Sequence, residues 1–324
     1  MKNQKIGNLR ALAITIVVLG HSIILYNPAW TLYESDRTCY PLVILKGIID
    51  IIQMPLYFSI SGFLFYYAQN KKKKFSQFLK DKIKRLLVPF LFFGLFWMVP
   101  IKWLVSYSGY ENQSILSIVI LKTLWGSDNG HLWFLEALFL VFAVMYFVCA
   151  YVYRRKSNLL NIVVFGCTLL LSFFSDKFHM APALKNMVLY IFWFYIGFLL
   201  NYYNAFVTKG HKLISVIGTL GGIVGILVYF TVPERIIQYI VSFVWVVTLY
   251  AIVPVKTNRL TRVIEENSYG IYLFHSPLIY VTCTFFLNSN PVFVVFLNFI
   301  VFGGLSLLLT GVVKKTKLRF ILGE

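Results

Sequence analysis

Charge is scarce in this 324-residue chain, and acidic charge above all: 12 Asp and Glu stand against 30 Lys and Arg. Charged residues make up 13% and hydrophobic ones 59%, too few polar side chains to cover a water-exposed surface, so a soluble domain is excluded. Cysteine is sparse as well. Cys39, Cys149, Cys167 and Cys283 form no CxxC pair, and three of them sit inside apolar runs, so neither a disulfide nor a metal site is expected. No low-complexity linker divides the chain and no internal repeat is visible. The glycine-rich stretch Gly218-Thr-Leu-Gly-Gly-Ile-Val-Gly225 follows no strand. Its overlapping GxxxG spacing is that of close helix packing in lipid rather than of a phosphate loop. A net charge of +18 would suggest nucleic acid in a soluble protein. Here the basic residues fall between apolar runs, so charge sorting across a membrane explains them and no nucleic-acid partner is expected.

What the chain has in abundance is apolar length. Ten runs are long enough to span a bilayer: 9–27, 42–68, 86–106, 131–153, 159–175, 187–204, 212–231, 236–255, 268–287 and 292–313. The eleven residues 114–124 are apolar but too short to cross. The expectation is an all-α, polytopic membrane helix bundle of about ten spans, forming one domain over 1–324. The first run begins like a signal peptide, but bulky Tyr26-Asn-Pro-Ala-Trp30 offers no cleavage site, so it reads as an uncleaved first helix. Twenty-three of the 30 basic residues fall on one side of this alternation, with Arg37, Lys46, Lys102, Lys122, Lys177, Lys185 and Arg235 on the other. The positive-inside rule then places both termini in the cytoplasm of a multi-pass cell-membrane protein, and an even span count agrees. Twenty-one Lys to nine Arg, with abundant Ile, Phe and Asn, point to an AT-rich bacterial genome.

The most informative stretch is Arg10-Ala-Leu-Ala-Ile-Thr-Ile-Val-Val-Leu-Gly-His21. Eleven helical steps of about 100° come to roughly three turns, so Arg10 and His21 share one stripe about 16 Å apart. A histidine this deep in an apolar run faces a cavity or a partner. It serves chemistry, or it is a packing residue bonded to a neighbouring helix.

Four further stretches carry polar groups into apolar surroundings. The second run reads Gln53-Met-Pro-Leu-Tyr-Phe-Ser-Ile-Ser-Gly62. Pro55 frees a backbone carbonyl, and Ser59, Ser61 and Gly62 allow close approach of a helix or a substrate. Asp50, two turns inside this run, needs a partner, and Lys46 one turn away is the simplest. Between runs two and three come Lys71 to Lys74 and then Lys82-Ile-Lys84-Arg85-Leu-Leu-Val-Pro89, a basic cluster that suits phosphate groups or simply anchors the topology. The fourth run opens Gly130-His131-Leu-Trp133-Phe-Leu-Glu136, with His131 expected near the outer interface and Glu136 deeper, where it could orient a histidine. The ninth opens Ser268-Tyr-Gly-Ile-Tyr272-Leu-Phe-His275-Ser-Pro277. His275 lies about 10 Å in, a depth near that of His21, so the two could share a cavity. His179 and His211 fall in loops.

In this order and spacing the stretches resemble those of the membrane-bound acyltransferase family 3, mostly O-acetyltransferases of cell-surface glycans. The resemblance covers runs one to four and nine. Many relatives carry histidine where this chain has Gln53, and two arginines in the basic motif where this chain has Lys and Arg. It implies acetyl-CoA, or another acyl-CoA, as cytoplasmic donor, and a hydroxyl of an exopolysaccharide, capsule repeat or lipid-linked oligosaccharide as acceptor. No metal is implied. It casts His21 as general base or transient acyl carrier, with Arg10, Glu136 and His275 beside it. Arg85, Lys82 and Lys84 would take the donor, and His131, Trp133, Ser61 and Asp50 the acceptor. The competing reading is a ten-span transporter or flippase without acyl transfer, since buried His and Asp also mark proton-coupled carriers.

Overall fold

The computed structural model describes residues 4–27, 30, 33, 39–69, 73–205 and 212–324. Lys2, Arg37, Lys71, Lys72, Lys209 and His211 lie outside these. Among the described residues there is no strand. The chain forms α1 (Gln4–Ser22), α2 (Tyr40–Gln69), α3 (Phe75–Leu104), α4 (Gly130–Arg155), α5 (Asn158–Phe173), α6 (Pro182–Tyr202), α7 (Lys212–Thr231), α8 (Arg235–Ile252), α9 (Arg259–Phe285) and α10 (Pro291–Lys314). Seven of them are long and apolar enough to cross a membrane, namely α2, α3, α4, α6, α7, α8 and α10. The protein is thus an all-α, multi-pass membrane bundle. The 16-residue α5 falls short in length. α1 and α9 are long enough, but they carry Arg10 and His21, and Glu265, Ser268 and His275. These polar groups dilute their apolar character.

α3 and α9 extend furthest beyond the apolar runs, by about two and a half to three turns each. α3 begins at Phe75, so Lys80 to Arg85 are helical rather than a loop, because Phe75 and Phe78 pack on Tyr146 of α4 at ring separations of 5.1 and 5.0 Å. α9 begins at Arg259, where Asn258 caps it by accepting from the Thr261 N–H. Residues 115–124 form a short helix outside the long ones, as their length requires.

α2 is the central post. It packs along α6, and α1 lies between α2 and α9. Two glycines make the α2–α6 contact possible: a Cβ on Gly62 would land on the Phe194 carbonyl, and one on Gly197 would land on the Ser59 carbonyl. Asn201 adds a hydrogen bond from its Nδ2 to the Phe63 carbonyl at 2.7 Å. Gly197→Ala therefore forces the helices apart. Overpacking of this kind costs about 1–3 kcal/mol, and a lowered melting temperature in detergent is the expected result. A melting temperature equal to that of the unsubstituted protein would show the contact to be slack.

Prolines shape the helices from inside, each freeing the carbonyl four residues earlier. Pro55 frees Ile51, whose oxygen accepts from Ser242 Oγ at 2.7 Å, joining α8 to α2. Pro89 frees Arg85, whose oxygen accepts from the Tyr269 hydroxyl at 2.6 Å, joining α9 to α3. Around Arg85 the helix loosens into a π turn, Ile83–Leu87, a local widening often found at functional positions.

Candidate active site

α1 and α9 run parallel and are joined by two rungs. At the end of the bundle that carries the basic segments, Arg10 donates to Glu265 Oε1 at 2.7 Å and to Ser268 Oγ at 3.2 Å. Three turns deeper, His21 Nδ1 and His275 Nε2 are 2.8 Å apart. Ser268 and His275 are seven residues apart, about two turns, so they share the α9 stripe that faces the Arg10–His21 stripe of α1. His275 is fully buried, and its Nδ1 lies 2.9 and 2.8 Å from the carbonyls of Ile271 and Tyr272. His21 stays partly exposed.

A third histidine closes the cluster. The ring of His131 lies 6.4 Å from that of His21 and 5.6 Å from that of His275, edge-on to both. It is 5% exposed, packed among the helices rather than presented to solvent. The reason is local. Gly126 and Gly130 both take positive φ, +83° and +53°, and they turn the chain at the entrance to α4. The Tyr272 hydroxyl then donates to the His131 carbonyl and pins the turn. Neither ring nitrogen of His131 makes a hydrogen bond among the described residues. The Leu273 carbonyl, which Pro277 frees, lies beside the ring outside bonding geometry. Although three imidazoles meet here, no three His, Cys, Asp or Glu among the described residues are arranged to hold a metal ion.

From the basic end, a cavity of about 570 Å³ leads toward this cluster. Arg10, Lys73, Lys82, Arg85 and Arg154 line it, with Asp81 as the only carboxylate in its wall among the described residues. Lys73 pairs with that carboxylate at 2.6 Å, which leaves the wall strongly cationic. Lys82 Nζ sits 3.5 Å above the ring of Phe142, which also lines the cavity, so its charge is held against an aromatic face of the wall. At the inner end stand Tyr57, Phe134 and Tyr272, with ring separations of 5.6 Å from Phe134 to each tyrosine. Tyr272 continues to His131 at 5.1 Å. No histidine among the described residues lines the cavity itself, and these three rings separate it from the histidine cluster.

Not every expected site residue falls in one place. Lys84 is exposed and does not line the cavity; it points outward from the π turn. Ser61 lines the cavity at the basic end, opposite to the acceptor side expected for it, and its hydroxyl bonds back to the Tyr57 carbonyl at 3.0 Å. Glu136 orients no histidine; it accepts from Asn129 Nδ2 beside Gly126. Asp50 is paired with Lys46 and accepts from Gln53 Nε2 at 2.7 Å. Gln53 Oε1 would lie 2.9 Å from a Cβ on Gly20, so this polar group flanks the α1 residue next to His21. Trp133 stacks on Tyr190 at 5.4 Å, which in turn stacks on Phe58 at 4.7 Å. Sequence reading missed Glu265, Ser268 as a partner of Arg10, and the dividing tyrosines. It also missed Lys102, a fully buried amine bonded to Asp128 Oδ1 at 2.9 Å and ringed by Tyr107, Tyr280 and Tyr110. One signal was available: acidic residues are so few that Glu265, just ahead of the Ser268–Pro277 stretch, stands out.

Fold and site thus define a membrane bundle with an interior cluster of imidazoles and a cationic cavity leading toward it. The family model described as an acyltransferase domain, of acyltransferase family 3, matches residues 3–314, and the chain belongs to that family. No curated protein and no solved structure matches the chain.

Proposed function

We propose that the protein is an O-acyltransferase of the plasma membrane. It moves an acyl group, most simply acetyl, from cytoplasmic acyl-CoA to a hydroxyl of a surface glycan or its lipid-linked precursor. The observation that carries this reading is the cationic cavity at the basic end, which ends one aromatic layer short of the histidine pair. Coenzyme A carries several phosphate charges, and guanidinium and ammonium groups at a helix mouth bind them by charge-assisted hydrogen bonds. Arg85, Lys82 and Lys73 hold the nucleotide end, while Arg10 lies further in, where the thioester arrives. The thioester passes the Tyr57–Phe134–Tyr272 layer to reach His21. An imidazole there takes the proton of the attacking hydroxyl, the step a weakly acidic alcohol needs. The acceptor enters from the opposite end, by way of the partly exposed Asp50, Gln53 and Trp133.

Arg85→Ala in protein reconstituted in nanodiscs is expected to weaken binding of acetyl-CoA by about tenfold or more, the scale of one charge-assisted contact. Arg85→Lys restores only part of it, since lysine lacks the guanidinium fork. Titration calorimetry reads both. Unchanged affinity in Arg85→Ala would mean that the cluster only anchors the helix, and would remove the donor from this cavity.

A further inference from the structure

Hydrogen-bond chemistry fixes where the protons of the histidine pair reside. A carbonyl oxygen only accepts. His275 Nδ1, within 2.9 Å of two carbonyls, therefore carries its hydrogen. Neutral His275 then has a bare lone pair on Nε2, and the 2.8 Å contact requires His21 Nδ1 to be the donor. His21 Nε2 is left unprotonated, with no hydrogen-bond partner among the described residues, on the one partly exposed ring of the three.

We infer that His275 is a positioning residue: a relay from the backbone carbonyls through His275 holds His21 in the Nδ1–H form and makes His21 Nε2 the base. This rests on the acyl-transfer reading and specifies the atom within it. The acceptor O–H gives its proton to His21 Nε2 as its oxygen bonds to the thioester carbon. The C–S bond then breaks, and the leaving sulfur takes that proton back from His21 Nε2. Alcohol and thioester become ester and thiol, and both histidines end neutral. While His21 is doubly protonated, its Nδ1–H stays bonded to His275 Nε2, which spreads the charge over a second ring in an apolar interior. The other groups facing His21 are the His131 ring from α4 and the Lys46–Asp50 pair from α2. Neither is bonded to it, so neither sets its tautomer.

The test is ¹⁵N NMR of histidine-labelled protein in nanodiscs, together with transfer kinetics. In the wild-type protein, His21 is expected with Nδ1 protonated and Nε2 bare. His275→Leu removes the acceptor, and the His21 signals are expected to shift toward the Nε2–H form. Transfer should fall by about 10²–10⁴, the range of general-base assistance, while acetyl-CoA affinity stays unchanged. His275→Gln keeps an acceptor oxygen for His21 Nδ1–H but cannot share the charge, so it should retain the tautomer and lose only about tenfold. If His275→Leu does not fold, the Gln variant and the wild-type spectrum still decide the matter. Wild-type His21 in the Nε2–H form, or full transfer by His275→Leu, would overturn the relay. A wild-type protein with the expected tautomer and no transfer from acyl-CoA would instead overturn the acyltransferase reading and leave the relay standing.

Discussion

His21→Gln is expected to lower acyl transfer by about 10²–10⁴ without loss of folded protein. Glutamine fills similar space, and its amide can donate to His275 Nε2, so the rung between α1 and α9 survives. What it lacks is a nitrogen that takes up a proton near neutral pH. Radiolabelled acetyl transfer by purified protein, with size-exclusion chromatography to confirm folding, separates the two contributions. A loss of tenfold or less would make His21 a packing residue and shift the chemistry to His131 or His275. Acetyl-CoA binding should be unchanged, because the cavity walls do not include His21.

Breaking the other rung should be costly in a different way. Glu265 is 5% exposed, and its carboxylate faces Arg10 at 2.7 Å. Removing one partner of a buried ion pair leaves a charge without compensation and costs about 3–5 kcal/mol. The Arg10 side chain is 28% exposed, and water in the cavity screens it, so about 2–3 kcal/mol is expected for Glu265→Ala. That appears as a fall in melting temperature together with lost transfer. Glu265→Gln keeps a hydrogen-bond acceptor for Arg10 and should recover most of the stability. The double variant Arg10→Leu, Glu265→Leu should melt near the wild-type temperature yet transfer nothing, because Arg10 is needed at the inner cavity. A single Glu265→Ala variant with normal stability and transfer would contradict the role given to this rung.

The helices were legible because each needs only its own residues: a run long enough to cross a bilayer announces itself. The Arg10–His21 stripe was legible for the same reason, being set by helical geometry within one element. Its partners were legible only in part: the matching depths of His21 and His275 suggested a shared cavity, whereas Glu265 and the direct contact between the rings were not foreseen. Glu265 and His275 lie 255 and 254 residues away in sequence, and no periodicity within either helix states which neighbour it will face. The burial of His131 was not legible, because the start of an apolar run does not state what its first residues pack against. Two positive-φ glycines, Gly126 and Gly130, shape the turn that carries the ring into the bundle. Lys84 was grouped with Lys82 and Arg85 by proximity in sequence, yet neighbouring helical residues point about 100° apart, and only the other two reach the cavity. The proline effects were half legible. Pro55 signals a freed carbonyl from sequence, but that Ser242 would satisfy it depends on how α8 packs against α2.

A donor bound at the basic end is expected to reach the histidine pair and leave its acyl group on an acceptor at the other end. Sealed membrane vesicles of both orientations, carrying wild-type or His21→Gln protein and a glycan acceptor, test this directly with labelled acetyl-CoA supplied outside. Labelled glycan is expected when the supplied donor faces the cytoplasmic side, and none from His21→Gln in either orientation. Labelling that needs the donor on the opposite side, or that proceeds equally without His21, would contradict this expectation.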